Sequence, residues 1–436
     1  MKLYGGSAGA RTAGYSRTTA VKARTPLKPL AIVLAVVLLF EVLYFTAVYS
    51  KNSFISKYRD MYISTAMDTL SHQWLAKAFI PADVIQEVMN KRNAALHAQE
   101  GLVSNWEKEE PPVPVEPESP SEDISTPENI ETEIVIMTPE QEQEVLKEEF
   151  FRLFHELDPA ETEAYFDANP DSLANGWGEI QLDAAGVNES GLDLKTIYGE
   201  QVLAIDVPNQ ILLIRVEDSG YKGVLAVAKD PSRLALQPSS QIGTAGETVG
   251  QIASANNGVL AMTGSGFMDD GGGGDGGVPL GLAVCSGEWY GWPSSRAGEK
   301  RLELHEDNLF YITDTSSPLG EGTTDAVEWS PAMLVDGEDV VGYGWDGLHP
   351  RACIGQSDRY EILMLIVEGR QPLRSIGITL YDCVDILQRH GGMQAINLDG
   401  GTSALMWYMG KPVTSCSNIN TPEGRTMPTA WVYGSN

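Results

Sequence analysis

The residues best suited to chemistry lie between positions 348 and 413. The segment INLDGGTSAL places Asp399 directly after an apolar run and directly before Gly400 and Gly401. A carboxylate in this position can activate water or stabilise positive charge in a reacting group. Upstream, HPRACIG contains His349 and Arg351, and a guanidinium can bind phosphate through two parallel hydrogen bonds. This pattern predicts an active site, while a plain Asp-Gly-Gly turn is the alternative reading.

Three elements must position Asp399. Residues 361–369 form a continuous apolar run of strand length, and residues 393–398 are predicted to form a second strand. Between them, helical spacing of apolar residues follows Thr379 as a candidate N-cap and stops at Gly391. A strand, a helix and a strand in this order predict a parallel, right-handed crossover. Asp399 would then lie at the carboxyl end of a buried strand, where α/β sheets commonly bind ligands.

Several motifs in this region resemble the phosphodiester glycosidase domain family. The resemblance rests on HPRACIG, VEGR, GITLYDCVDILQRHGG and INLDGGTSALMWYMGKPV, and it covers residues 195–436. It implies hydrolysis of the bond between a sugar's anomeric carbon and a phosphodiester oxygen. The catalytic residues that it implies are Asp399, Arg351 and His349. From the same motifs, the implied substrate-binding residues are Asn397, Gly400, Gly401, Thr402 and Asp346.

A second motif of the family corresponds to VLAMTGSGFMDDGGGGDGG, residues 259–277. Thr263 stands where the family usually has Asn, whereas Ser265 and Gly266 fit the pattern. The resemblance implies that these three residues contact substrate. A hydroxyl reaches less far than an amide and cannot reproduce all of its hydrogen bonds. The substitution therefore favours, as an alternative, a domain that binds carbohydrate without turnover.

The same glycine-rich loop contains Asp269, Asp270 and Asp275. Closely spaced carboxylates on flexible backbone suit divalent cations, although the spacing is not that of an EF-hand. A solvated loop without metal is the alternative reading. We expect no cofactor, with a divalent cation at these three residues as the only candidate.

Composition and charge narrow the class of protein further. The chain has 436 residues and a formal net charge of −30. The first 29 residues contain six basic residues and no acidic one, so the remainder carries −36. Such a negative chain repels nucleic acid, and we exclude nucleic-acid binding.

The N-terminal half predicts a membrane anchor. Residues 30–49 form an apolar segment interrupted only by Glu41, which is long enough to cross a bilayer as one helix. The basic residues before it place the N-terminus in the cytoplasm and the rest of the chain outside. A cleaved signal peptide is the competing reading.

We therefore expect an α+β protein that follows a single transmembrane helix and a disordered linker. Its mixed sheet combines an antiparallel meander, which begins near Leu203, with the parallel β-α-β crossover. The expected domains are a basic cytoplasmic tail (1–29), a transmembrane helix (30–49), a helical membrane-proximal stalk (50–105), a Pro/Glu-rich linker (106–140), a helical lead-in (141–194) and the phosphodiester glycosidase domain (195–436).

The expected function is that of a single-pass, extracytoplasmic hydrolase that cleaves sugar 1-phosphodiesters in envelope or exopolysaccharide glycans. The family's many exopolysaccharide-related members are bacterial, which implies a bacterial envelope. A non-catalytic carbohydrate-binding protein or an envelope scaffold is the alternative. The four cysteines allow either disulfides or buried free thiols.

Overall fold

The computed structural model describes residues 27–69, 72–106, 138–169, 180–181, 189–190, 193–269, 274–418 and 420–435. The chain divides into two compact units, Met1–Ser56 and Lys57–Asn436. Most of the predicted basic tail and most of the predicted linker lie outside the described residues.

Helix α1 (Leu27–Tyr49) is the main element of the first unit. Its segment Pro29–Tyr49 is long and apolar enough to cross a membrane. A signal sequence near the N-terminus would have the same length and composition. Helix α1 is therefore compatible with the predicted transmembrane helix, and it does not establish which side of a membrane the second unit occupies.

The remaining helices belong wholly or mainly to the second unit. They are α2 (Ser53–Met67), α3 (Gln73–Phe79), α4 (Ala82–His97), α5 (Pro139–Leu153), α6 (Pro159–Ala168), α7 (Val249–Ala255) and α8 (Leu380–Arg389).

The strands of the second unit fall into two halves along the chain. The first ten are β1 (Ile180–Gln181), β2 (Glu189–Ser190), β3 (Val202–Asp206), β4 (Ile211–Asp218), β5 (Tyr221–Ala228), β6 (Leu234–Pro238), β7 (Gly258–Thr263), β8 (Leu282–Cys285), β9 (Glu288–Gly291) and β10 (Lys300–His305). The second ten are β11 (Phe310–Asp314), β12 (Thr323–Trp329), β13 (Ala332–Val335), β14 (Glu338–Asp339), β15 (Arg351–Ser357), β16 (Ile362–Val367), β17 (Gly392–Asn397), β18 (Met406–Tyr408), β19 (Lys411–Pro412) and β20 (Thr429–Gly434).

Three large sheets build the core of this unit. An eight-stranded sheet has the order β14-β13-β17-β15-β16-β5-β4-β3, and two five-stranded sheets have the orders β19-β18-β7-β20-β6 and β11-β10-β12-β8-β9. One face of the eight-stranded sheet packs against α5, α6 and α8. Its other face packs against both five-stranded sheets. Because two apolar faces bury this sheet, its strands β16 and β5 consist mainly of consecutive buried residues.

Helix α8 forms as its sequence predicts. The Thr379 side chain accepts a hydrogen bond from the backbone N–H of Asp382 at 3.2 Å, which caps the first turn. Apolar residues at helical spacing, including Val384 and Leu387, are buried. After the helix, Gly391 adopts a φ of +74°, a conformation that ends a helix readily only with glycine.

The predicted meander is present, but the predicted parallel crossover is not confirmed. Strands β3, β4 and β5 pair antiparallel in sequence. Strands β16 and β17 flank α8, yet they do not pair with each other, because β15 lies between them and pairs antiparallel with both. All strand pairs in the described sheets are antiparallel. Strand β16 pairs with β15 on one side and with β5 on the other, so neither edge of β16 is open to β17, which pairs with the other edge of β15.

Residues 57–106 pack against the rest of the second unit. The Gln99 side-chain amide donates to the backbone carbonyls of Ala332 at 2.9 Å and Val340 at 2.6 Å. The Trp106 indole N–H donates to the Phe310 carbonyl at 2.7 Å. The compact unit begins at Lys57. The predicted domain boundaries, including a helical membrane-proximal stalk over residues 50–105, stay predictions.

All four cysteines, Cys285, Cys353, Cys383 and Cys416, are buried free thiols. Of the two alternatives that the sequence left open, disulfides or buried free thiols, the structure matches the buried free thiols.

Candidate functional site

A cavity of about 1290 Å³ opens beside Asp399, and we call it the Asp399 cavity. Its wall combines the loop after β17 with the start of β15, the loop after β16, the glycine-rich loop after β7 and the end of α2. The predicted site residues that line it are His349, Arg351, Asn397, Asp399, Gly400, Gly401, Thr402 and Asp269.

Two glycines position Asp399 by letting its loop approach the chain before β15. The backbone N–H of Gly401 donates to the Pro350 carbonyl at 3.0 Å. A Cβ at Gly400 would lie 2.5 Å from the same carbonyl oxygen, and Gly401 has a φ of +62°. Glycine is required at both positions, because neither the space nor the backbone conformation suits a side chain. This contact places Asp399 beside the segment that contains His349 and Arg351.

The Asp399 carboxyl group is partly buried. Burial raises its pKa to about 6, and the negative charge of Asp269 acts in the same direction. A hydrogen bond with Ser403 and the charges of Arg425 and Arg370 favour the carboxylate but do not outweigh burial. A pKa near neutrality is typical of carboxyl groups that exchange protons during catalysis.

Two arginines face this cavity without a carboxylate partner. Arg351 is 7% exposed; its Nη2 donates to the Gly347 carbonyl at 2.9 Å and its Nε has no hydrogen-bond partner. Arg370 donates from Nη2 to Thr69 Oγ1 at 3.3 Å. Neither guanidinium forms an ion pair with any residue that the structure describes. Burial lowers the pKa of both groups, so both would gain from an anionic ligand.

A third group of charged residues joins α2 and α4 to the same wall. Asp68 forms an ion pair with Arg92, and its Oδ2 lies 3.4 Å from His349 Nε2. The Arg92 guanidinium stacks 3.8 Å from the centre of the Trp345 ring. Burial alone would raise the pKa of Asp68, but interactions with His349 and Arg92 hold it at about 2. Asp68 is therefore ionised at neutral pH.

His349 is neutral under the same conditions. Burial and the positive charge of Arg351 lower its pKa to about 4, although Asp68 favours the protonated ring. A neutral imidazole can exchange a proton or donate one hydrogen bond, but it adds no positive charge for phosphate binding.

Arg425 forms the opposite side of the Asp399 loop. Its Nη1 lies 3.2 Å from Asp269 Oδ2 and donates to Thr402 Oγ1 at 3.4 Å. Its guanidinium also stacks 4.2 Å from the centre of the Phe267 ring. Asp269 thus has a cationic partner, and it accepts the Gly274 N–H at 2.8 Å as well.

Asn397 is buried at the end of β17. Its Nδ2 donates to the Ser330 carbonyl at 2.8 Å, while its Oδ1 has no hydrogen-bond partner. A buried, unpaired amide oxygen beside a cavity is an acceptor for a ligand hydroxyl.

Four of the predicted substrate-binding residues do not line the Asp399 cavity. Thr263 is fully buried and connects β7 to the Asp399 loop. Its hydroxyl group donates a hydrogen bond to the Ser403 carbonyl and accepts one from the Leu405 N–H. Ser265 bonds with Thr429. Gly266 is covered by the Trp329 ring, which would lie 2.0 Å from an added Cβ. Asp346 is half-buried elsewhere, and burial raises its pKa. Their predicted contacts with substrate stay predictions.

Two of the three candidate metal ligands, Asp269 and Asp275, are described, and neither belongs to a group of possible metal ligands among the described residues. Asp269 pairs with Arg425 as above, and Asp275 accepts the Gly277 N–H at 3.0 Å within its own turn. Asp270 lies outside the described residues. A group of His155, Glu156 and Glu361 has its possible ligand atoms within 4.8 Å, but Lys229 Nζ already contacts both carboxylates.

Sequence reasoning missed Asp68, Arg92 and Arg425, and it gave no role to Arg370. Arg370 is part of VEGR, one of the motifs that carry the family resemblance, so a signal for it was present. Asp68 lies 281 positions before His349 and Arg92 lies 253 positions before Trp345. Local sequence patterns cannot connect residues so far apart. No local motif marks them.

Comparison with known proteins identifies part of this region. Residues 256–433 match the family model described as phosphodiester glycosidase. The match includes the Asp399 loop, the HPRACIG segment, Arg370 and Arg425, but not Asp68 or Arg92. The family resemblance that the motifs predicted is confirmed for this range.

One curated relative is the SPβ prophage-derived uncharacterized protein YomE of Bacillus subtilis strain 168. It is 26% identical over 193 residues, which are 41% of this chain and 29% of the relative. The chain thus aligns with less than a third of that relative's length.

Two solved structures are also similar. The zebrafish N-acetylglucosamine-1-phosphodiester alpha-N-acetylglucosaminidase catalytic domain, auto-inhibited by its pro-peptide, has a TM-score of 0.43 at 15% identity and covers 61% of this chain and 90% of its own. A putative exported protein from Burkholderia pseudomallei K96243 has a TM-score of 0.39 at 13% identity. The similarity covers 49% of this chain and 74% of that protein.

We predict that Asp68 stabilises the fold in a pH-dependent way. Its folded pKa of about 2 lies below the ordinary value of 3.8, so its contribution is present above pH 4 and is lost as the pH falls towards 2. Asp68→Asn should lower the melting temperature at pH 7 by several degrees, because Arg92 loses its partner. The difference from the unaltered protein should shrink in acid.

Asp385→Asn is the matched control, since Asp385 is an exposed carboxylate on α8. It should leave the melting temperature unchanged at every pH. An Asp68→Asn protein that melts like this control at pH 7 would contradict the prediction.

Proposed function

Because residues 256–433 carry the phosphodiester glycosidase domain, we propose that the protein hydrolyses the glycosidic bond of a sugar 1-phosphodiester. The glycosidase class follows from the family match. The substrate, the reaction step and the residue roles below are our proposal.

The observation that carries this proposal is the charge arrangement around Asp399. One carboxyl group with a pKa near 6 lies beside Arg351 and Arg370, which have no carboxylate partner among the described residues. A phosphodiester is an anion whose oxygens match the two parallel donors of a guanidinium. A substrate with a phosphodiester next to a sugar carbon would satisfy all three groups together.

The proposed step needs one base and no strong acid. Asp399 accepts a proton from water as the water oxygen bonds to the anomeric carbon. The bond from that carbon to the phosphodiester oxygen breaks, and its electron pair stays on the oxygen. The products are a free sugar and a phosphomonoester, and the Asp399 proton then passes to solvent. Since phosphate leaves readily, this chemistry differs from ordinary glycoside hydrolysis, in which two carboxyl groups share the work.

The surrounding residues would bind and orient the substrate. Arg351 and Arg370 would hold the phosphate oxygens, and the unpaired Asn397 Oδ1 would accept a sugar hydroxyl. Thr402 would contribute a second polar contact, while Arg425 fixes its hydroxyl group. Neutral His349, held by Asp68, would donate a hydrogen bond or transfer a proton beside Arg351.

We further propose that helix α1 anchors the protein in a membrane with the second unit on the extracytoplasmic side. Support comes from the apolar helix Pro29–Tyr49 and from the basic residues that precede it. An envelope or exopolysaccharide glycan would then be within reach of the site.

The direct test is incubation of the purified protein with a panel of sugar 1-phosphodiesters. Hydrolysis predicts equal amounts of free sugar and phosphomonoester. Saturable binding of a panel member without any product would instead favour the non-catalytic carbohydrate-binding alternative.

Asp399→Asn should lower kcat by about a hundredfold or more with little change in KM, because the amide keeps the shape but cannot accept the proton. For the unaltered enzyme, kcat/KM should fall as the pH drops below about 6, where Asp399 becomes protonated.

The raised pKa of Asp399 also means that its ionised carboxylate lowers the free energy of unfolding above pH 6. The variant should therefore melt no lower than the unaltered protein at pH 8.

Asp385→Asn is again the control, because it makes the same carboxyl-to-amide change at an exposed position on α8. If Asp399 only supports a turn, Asp399→Asn would keep full activity, because Asn is equally suited to such turns. That result would remove Asp399 from the mechanism.

Arg351→Lys and Arg370→Lys should each raise KM by about tenfold or more, since lysine keeps the charge but loses the planar pair of donors. The effect on KM should be at least as large as the effect on kcat. Arg359→Lys, at an exposed position on a different loop, should change neither. Unchanged KM values for both cavity variants would exclude phosphate binding by these arginines.

Protease added to intact cells should cut the acidic, proline-rich segment between residues 106 and 140. Residues 57–106 bond to the distal strands, so the distal fragment should remain on the cell and separate only after denaturation. Complete protection, together with cutting after the membrane is opened, would place the second unit in the cytoplasm.

A further inference from the structure

The Asp399 cavity is larger than one sugar phosphate needs. Its volume is about 1290 Å³, whereas pockets for drug-sized ligands usually have about 300 to 1000 Å³. Besides the charged groups described above, its lining includes the segment that follows β9, which contains Trp292.

Trp292 is 79% exposed and lines the cavity. A single exposed apolar residue is ordinary on a protein surface, so exposure alone indicates nothing. The anchoring of this segment is the second observation. The Ser294 N–H donates to Glu328 Oε2 at 2.7 Å, and the Ser294 hydroxyl bonds to Glu299.

Glu328 is itself fixed in the core. It is 2% exposed, pairs with Arg301 at 3.0 Å and accepts the Leu282 N–H at 3.0 Å. On the other side of Trp292, Gly291 pairs with Leu282 at the end of β9. The indole is therefore presented from a backbone that is held on both sides.

Contacts within the lining connect the Asp399 loop to the Trp292 segment. The Asn397 amide donates to the carbonyl of Ser330, which follows Glu328 and Trp329 in the chain, and Glu328 accepts the Ser294 N–H. The unpaired Asn397 Oδ1, to which the proposed function assigns a sugar hydroxyl, therefore belongs to the lining residues that lead to Trp292.

We propose that Trp292 is a stacking platform for a second sugar unit, so that the substrate is an oligosaccharide or polysaccharide whose terminal anomeric carbon carries the phosphodiester. This inference rests on the proposed function. The flat face of an indole is apolar, as are the C–H groups on the face of a sugar ring. Stacking buries both apolar surfaces while the sugar hydroxyls stay in water.

The same hairpin offers a matched control. Trp289 is 60% exposed and lies on β9, opposite Val284, but it does not line the Asp399 cavity. Trp289→Ala and Trp292→Ala therefore remove the same exposed side chain from the same hairpin, and only the second removes it from the cavity.

The experiment compares two substrate lengths on the full-length protein in detergent. The short probes are the methyl phosphodiesters of glucose 1-phosphate and N-acetylglucosamine 1-phosphate. The long probes are the corresponding methyl phosphodiesters of maltose 1-phosphate and chitobiose 1-phosphate. Steady-state kinetics give kcat and KM, and isothermal titration gives Kd for the same probes.

Trp292→Ala should raise KM and Kd for a long probe by about fivefold, which is the lower end of the range for nucleic-acid bases that stack on aromatic side chains. It should leave kcat and the values for the short probes unchanged, and Trp292→Phe should restore part of the loss. Trp289→Ala should change none of these values.

Equal effects on both probe lengths, or no difference between the two alanine variants, would overturn the inference. If no probe is hydrolysed but the long probes bind with a Trp292-dependent Kd, the hydrolase proposal fails and the sugar platform stands. If the long probes neither react nor bind more tightly than the short ones, the platform is wrong whatever the reaction.

Discussion

The candidate site depends on the close approach of two backbone segments, one around Gly400 and Gly401 and the other at Pro350. The Gly401 N–H donates to the Pro350 carbonyl, and a Cβ at Gly400 would lie 2.5 Å from that oxygen. Any side chain there would push the segments apart. The carboxyl group of Asp399 would then move away from Arg351, which follows Pro350 directly. The two glycines therefore set how closely the Asp399 loop approaches the segment that contains Arg351.

Electrostatics at the site favour ligand binding over stability. Arg351 is almost fully buried with an unpaired Nε, and Arg370 also has no carboxylate partner in the described structure. Burial raises the pKa of Asp399 to about 6 and so disfavours its charged form. Each of these features costs folding free energy, because burying a charge without its partner is unfavourable. An anionic ligand would offset that cost, and such groups are typical of functional sites.

The helices that precede the family domain are part of this site. Asp68 and Arg92 lie outside residues 256–433, yet they contact His349 and Trp345 within the cavity wall. Thr69 accepts a hydrogen bond from Arg370. The family match at residues 256–433 therefore covers only part of the residues that line the candidate site.

Local sequence determined the individual elements of this protein. The Thr379 cap, the apolar runs of the central strands and the acid after β17 depend on residues close together in the chain, so pattern and capping rules identify them. For the same reason, the sequence alone identified several residues that line the cavity, among them Arg351 and Asp399. The tertiary structure decided the rest: it inserted β15 between β16 and β17, enclosed Thr263 behind the Asp399 loop, and joined Asp68 to His349. These outcomes depend on which surfaces can be buried together and on charges that are distant in sequence, and no short-range pattern encodes either.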